Sequence, residues 1–350
     1  MHVCSPWVCV ASALLLGGPS CSRPAPPAHG HDAEAESSPP AESAVAKDPA
    51  GEGSAEALAP RQASRVSAPF PEARVKLLDA GDSPRHQLRY AWTAGKREQL
   101  SLDMRTSLLG DRAEGQLPEV PLPSVRVLVT VASTSVSEDG TLTYDWRVAF
   151  ARVMTDDRSA PQVADGMRAE AVAVEDLSGT GAVDSRGLAK ELSVDPAESS
   201  DEVTSRPIAL QVLQTLWNVA APLPQEEVGV GARWQRVSEL AAKNARATQT
   251  DSFTLASLDG SRGTLDDALT QIAPEQALSV PGMANGSRAQ MGSMLASGVA
   301  TTRFELSHLI PDTRFRGTTT MVLANDESRG NDPGTKMVLR VEIDLSGAPR

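Results

Sequence analysis

The chain has 350 residues, three cysteines, twelve aromatics and a formal net charge of −12. Its cysteines are Cys4, Cys9 and Cys21, so a disulfide scaffold, a thiolate zinc site and a cysteine nucleophile are excluded from everything beyond position 21. An acid excess of this size argues against a polyanion partner, since nucleic-acid binders need a basic stripe to displace counterions.

Residues 1–20 contain no Asp, Glu, Lys or Arg. The apolar run from Val8 to Leu16 is too short for a membrane-spanning helix, which takes about 20 residues. It has the length of the apolar region of a secretory signal peptide. Gly17, Gly18, Pro19 and Ser20 then lead into Cys21. Small residues directly before a cysteine resemble the lipobox of bacterial lipoproteins, although Gly18 stands where that family prefers Leu. The resemblance implies that 1–20 is a cleaved leader and that Cys21 is acylated and anchors the mature chain in a membrane.

Residues 21–68 are rich in Ala, Pro, Ser and Glu, and Val45, Leu58 and Val66 are their only large aliphatics. Such a segment buries too little apolar surface to offset the entropy of ordering it, so it reads as a disordered tether. A flexible coil of that length reaches about 40 Å. His29 and His31 fall inside it, without the supporting shell of a metal site, and read as part of the tail.

From position 69 onward, period-2 alternation takes over. His86, Leu88, Tyr90 and Trp92 predict one strand; Leu100, Leu102, Met104 and Leu108 predict the next. Val125 to Val131 and Leu142 to Phe150 predict two more, with a hairpin turn at Glu138-Asp139-Gly140. Four such strands joined by short turns imply an antiparallel meander. Val163, Met167, Ala171 and Val174 are at helical spacing over 162–176, and Ser178-Gly179-Thr180-Gly181 reads as the turn that ends that helix. Ala182 to Leu188 reads as a strand with a glycine bulge. Pro207 opens a second helix over 207–221, with Ser205 as its candidate cap. The broad apolar face of that helix, including Ile208, Val212, Leu216 and Trp217, calls for burial against a sheet. Strands resume over 232–240, 246–258 and 300–310, then at Phe315 to Leu323 and Met337 to Leu345. The stretch 260–297, broken by glycines and prolines, is ambiguous, and Met283, Met291 and Met294 are either core filler or part of a loop.

The expected fold is α+β and mainly β. It is a large curved antiparallel sheet of about ten strands with two helices, one of them packed on the concave face. Residues 69–350 are expected to form a single domain, with two lobes split near 195–202 as the alternative. The leader, the tether and the β-rich domain together resemble uncharacterised lipoproteins of myxobacteria. So do the runs Leu177-Ser178-Gly179 to Arg186-Gly187 and Pro222-Leu223-Pro224 through Gly229-Val230-Gly231 to Trp234. That group has no assigned activity to transfer. In outline the expected fold is also similar to the half-barrels of periplasmic lipid and lipoprotein carriers.

Chemistry-bearing motifs are sparse. The domain has two histidines, His86 and His308, both in apolar strand register and so expected to be core residues. No nucleophile elbow or zinc-protease motif occurs. Gly179-Thr180-Gly181 and Gly229-Val230-Gly231 read as turns rather than phosphate loops. The acid pairs Asp156-Asp157, Asp201-Glu202, Glu226-Glu227 and Asp266-Asp267 read as solvated surface, because a sugar site would need aromatic platforms that this chain spends on strand faces. Asn325-Asp326-Glu327 with Asn331-Asp332 lacks the spacing of a calcium loop and reads as a polar hairpin loop.

These readings converge on a lipid-anchored cell-envelope protein at the periplasmic face or outer membrane. It is expected to be non-enzymatic, with a structural or partner-binding role and no catalytic residue, metal or cofactor. Its partners are the membrane, through acylated Cys21, and an envelope protein or hydrophobic ligand, with no nucleic acid. The alternative is a carrier of an acyl chain in which Ile208, Val212, Leu216 and Trp217 face the ligand. A hydrolase using His86 or His308 with a carboxylate comes third.

Overall fold

A computed structural model describes residues 66–67, 73–112, 115–116, 118–155, 161–195, 206–242, 245–278, 289–325 and 335–349. The first strands are β1 (Val66–Ser67), β2 (Arg74–Asp79) and β3 (His86–Gln87). Next come β4 (Arg97–Arg112), the short β5 (Gly115–Gln116) and β6 (Val120–Pro121), β7 (Ser124–Val136) and β8 (Leu142–Met154). Helix α1 (Pro161–Val174) precedes β9 (Ser178–Val183) and β10 (Ala189–Val194). Helix α2 (Pro207–Trp217) precedes β11 (Glu227–Val228). The remainder is all strand: β12 (Arg233–Ala242), β13 (Ala245–Asp259), β14 (Arg262–Ala273), β15 (Gln276–Leu278), β16 (Ala289–Glu305), β17 (Asp312–Asn325) and β18 (Thr335–Pro349).

The chain is mostly β, and its main sheet is antiparallel in every pairing. Its hydrogen-bonded order is β1-β10-β9-β8-β7-β4-β18-β17-β16-β14-β13-β12-β2, with β5 and β6 on β4 and β15 on β16. The order is open, ending at β1 and β2, although only residues 68–73 separate these two strands in the chain. A small second sheet pairs β3 with β11.

Thirteen strands in the main order exceed the expected ten; β1, β2, β10 and β14 were not anticipated, and glycines at inward positions disguised β9 and β14. The segment Ser178–Gly181 is not a helix-ending turn; it belongs to β9, where Gly181 lies opposite Tyr144 and Gly179 opposite Trp146. The two rings occupy the space that a Cβ at either glycine would need, so the large apolar residues expected of a strand are supplied by its neighbour. In the same way Gly263 of β14 lies opposite Phe304, whose ring fills its Cβ position. The ambiguous 260–297 thus contains β14, β15 and the start of β16; Met294 is buried in β16, and Met283 lies outside the described residues.

Two further strand expectations are corrected. Of 86–93 only His86 and Gln87 pair as a strand; beyond them the N–H groups of Tyr90 and Ala91 bond to unrelated carbonyls, at Ser185 and Leu306. Residues 182–188 do not form one strand either. The Asp184 carboxylate accepts the N–H groups of Arg186 and Leu188, and Gly187 has φ +78, which closes a tight turn between β9 and β10.

The core lies on one face of the sheet. Leu100 and Leu102 of β4, Val127 and Val129 of β7, and Tyr144, Trp146 and Val148 of β8 are all buried. Helix α2 starts at Pro207, with extended Arg206 at the cap position making no side-chain cap bond; Ser205 lies outside the described residues. It stops at Trp217, earlier than expected, and the chain continues irregularly through Ala221-Pro222-Leu223-Pro224, whose prolines cannot continue a helix.

Candidate functional site

The residues expected to face a ligand are inside the protein. Ile208, Val212 and Leu216 are buried in the core and Trp217 is half-buried. Hydrogen bonds fix the segment from two sides. From β8, the Tyr144 hydroxyl donates to the Leu216 carbonyl at 3.1 Å. From β12, Trp234 Nε1 donates to the Pro222 carbonyl at 2.9 Å. Tyr90 completes the clamp: its hydroxyl donates to the Ala221 carbonyl at 3.1 Å and accepts the Ala221 N–H at 3.0 Å. Burial holds both tyrosine phenols above their usual range. Beside Trp217 and Asn218 is a cavity of about 30 Å³, room for a water molecule and not for an acyl chain.

A polar cluster interrupts the apolar face at β12–β14. Arg236 lies directly opposite Asp251, and their side chains meet at 2.8 Å with Asp251 only 1% exposed. Gln249 Nε2 donates to the same carboxylate at 2.9 Å, and Arg236 Nη1 donates to Asn218 Oδ1 at 2.6 Å. On β14, Asp267 lies opposite Phe253, one diagonal step from Asp251, so the two carboxyls are about 7–8 Å apart at their bases. Part of Asp267 meets water, but its Oδ1 is sealed and has no hydrogen-bond partner among the described residues. Burial pushes the Asp267 carboxyl up to about 8, with the Asp251 charge adding and Arg236 opposing. The pair Asp266-Asp267 is therefore not simply solvated: Asp266 is exposed and Asp267 turns inward.

The opposite face is charged. One register row crosses nine strands, from β7 to β2: Arg126, Asp103, Asp344, Arg314, Thr301, Asp266, Thr254, Arg233 and Asp79. Asp103 and Asp344 stand opposite each other, and each is balanced by an arginine, Arg126 at 2.6 Å and Arg314 at 3.0 Å. Arg105 approaches Asp344 at 3.7 Å, and Arg316 reaches Glu342 at 3.4 Å. Much of this row lines a groove of about 1110 Å³ with five arginines: Arg105, Arg126, Arg303, Arg314 and Arg316. Asp103, Asp266, Asp267, Asp312 and Asp344 share its lining, so the charges nearly cancel and long-range steering of a polyion is weak.

Neither histidine is a core residue. His86 is exposed at the edge of the small sheet. His308 is half-buried in the turn after β16, its Nδ1 3.9 Å from Glu98. Strand register misplaced His308 because β16 ends at Glu305 and the chain turns at Leu306 and Ser307. Glu226 and Glu227 are exposed, and Gly231, with φ +82, sits in a turn. No cluster of three or more His, Cys, Asp or Glu that could hold a metal occurs among the described residues. Cys21, His29, His31, Asp156, Asp157, Asp201, Glu202, Asp326, Glu327, Asn331 and Asp332 lie outside the described residues.

Sequence reasoning missed both polar arrays. Asp267 had a signal, since it falls between Leu265 and Leu269 at period 2; the charged row had none, because it depends on register across nine strands.

No protein-family model matches the chain, and no curated protein matches it. Among solved structures, OccAB3 of Acinetobacter baumannii is 6% identical over 72% of this chain and 99% of its own, with a TM-score of 0.20. OmpT, an outer membrane protein of Vibrio cholerae in its trimer form, is 9% identical over 73% of this chain and 100% of its own, with a TM-score of 0.21. Scores this low carry no argument about fold or function.

Proposed function

We propose that this is a lipid-anchored protein of the cell envelope, held through acylated Cys21 at the periplasmic face or outer membrane, whose β domain binds an envelope partner without catalysing a reaction. The observation that carries the binding reading is the groove of about 1110 Å³, because it gathers five arginines and five aspartates along one hydrogen-bonded sheet. A partner of mixed charge and extended polar surface matches it, and a polyanion does not. The leader and the tether-like composition of 21–68 support the anchored location.

In this reading the sheet is curved around α2. Two features support that curl. Six residues reach about 25 Å between β1 and β2, whereas thirteen flat strands would hold their edges nearly 60 Å apart, by order-of-magnitude spacing. Hydrogen bonds from β8 and from β12 also converge on Leu216 to Pro222. Helix α2 then acts as the plug of the curl. Its apolar face is consumed by packing, which favours a binding role for the charged face over an acyl carrier.

Site-specific photocrosslinking in cells tests the reading. Crosslinkers at Arg303 or Arg316 should trap one envelope partner, and Arg126→Glu with Arg314→Glu should abolish the product. A crosslinker at Val172, exposed on α1 and outside the groove lining, should trap nothing. Equal products from Val172 and the groove would overturn the assignment. Palmitate analogues should label the wild type and not Cys21→Ala.

A further inference from the structure

Of the inner polar cluster only Asp267 also borders the charged groove, and a partner-binding role for that groove does not explain why its Oδ1 is sealed beside Asp251 and Arg236. Asp251 is fully engaged by Arg236 and Gln249, and a single guanidinium serves two inward carboxyls. Directly across the ladder from Asp267 the residues are apolar: Phe253 on β13, Ala300 on β16, and Phe315 beyond Ala300 on β17. Among the described residues the charged groups that act on it are Asp251 from β13 and Arg236 from β12. Its Oδ1 is out of contact with water and accepts no hydrogen bond there. A second anion in this position would be buried against apolar rings, with its nearest cation already committed.

We infer that Asp267, Asp251 and Arg236 form a proton-held latch: one proton on Asp267 keeps β13 and β14 packed, and losing it loosens this part of the sheet. The inference is independent of the partner-binding reading. The sign follows from linkage. In the unfolded chain the Asp267 carboxyl titrates at its ordinary 3.8, and in the folded chain near 8. Between those values the folded protein holds a proton that the unfolded chain does not. Its stabilising effect is complete below the unfolded value and is lost as pH rises through the folded one.

Unfolding of the full chain by scanning calorimetry, in phosphate and in Tris at pH 7, reads the proton directly. The wild type should release about one proton on unfolding, and Asp267→Asn should release about one fewer. The melting temperature of the wild type should fall between pH 6 and pH 9, with a smaller fall in Asp267→Asn. Hydrogen exchange, corrected for intrinsic rate, should show β13 and β14 losing protection above pH 8 while β7 and β8 keep theirs. If Asp267→Asn does not fold, the wild-type proton count and exchange still decide. No proton released at pH 7, or uniform loss of protection across the sheet, would overturn the latch.

Discussion

Glu98 holds Leu309 across the turn that follows β16: its Oε1 accepts the Leu309 N–H at 3.0 Å, and its Oε2 accepts the neighbouring Ile310 N–H at 3.1 Å. The carboxylate is 5% exposed and sits on β4, far away in sequence. It therefore fixes where the chain leaves the sheet between β16 and β17. Glu98→Gln keeps the shape but gives up one acceptor and the charge, and should cost about 2 kcal/mol in denaturant unfolding. An unchanged midpoint would show that the turn stands without it.

The glycines of β9 should be separable by what they meet. A Cβ at Gly179 meets the Ser193 backbone carbonyl as well as the Trp146 ring; at Gly181 its nearest contacts all belong to the Tyr144 side chain. Backbone cannot step aside as a ring can. Gly179→Ala should cost about 3 kcal/mol or more and Gly181→Ala about 1–2 kcal/mol, read from urea midpoints. Equal losses would mean that the strand shifts as a body.

Ion pairs on the two faces of the sheet should differ sharply in weight. Arg236→Met leaves Asp251 buried without its cation and should destabilise by about 3–5 kcal/mol. Arg126→Ala removes a pair that remains partly in water, and should cost less than about 1 kcal/mol. Thermal unfolding of both variants in low and high salt checks the contrast, since only the exposed pair should be screened.

A cycle on the outer row tests whether its like charges are held apart by their arginines. Asp344→Asn in the wild type should be nearly neutral, because Arg314 balances the charge it removes. In an Arg314→Ala background the same change should be stabilising by a few tenths of a kcal/mol, because it relieves Asp103 opposite. Double-mutant unfolding curves measure the difference.

What the sequence made legible was the part of the fold in which each strand carries its own core. Leu100 and Leu102, Val125 to Val131 and Leu142 to Val148 alternate with polar residues, and they become β4, β7 and β8. Strands that borrow their core from a neighbour were hidden. Gly179, Gly181 and Gly263 stand at inward positions, and their rings come from Trp146, Tyr144 and Phe304. Helix α2 was legible from Pro207 and its apolar stripe, but its early stop at Trp217 reflects tertiary bonds from Tyr144, Tyr90 and Trp234. The candidate site was less legible still. Arg236 and Asp251 are ordinary polar residues until strand register sets them face to face.

The chain enters the sheet at one margin through β1 and, six residues later, forms the opposite margin through β2. Tension applied ahead of Val66 would first peel two residues from β10, the weakest pairing it meets. Once they yield, the load passes to β2, whose register with β12 runs from Arg74 to Asp79. The molecule thus offers a small mechanical fuse in front of a stronger joint, and a modest pull can be absorbed without disturbing the strands that carry the core.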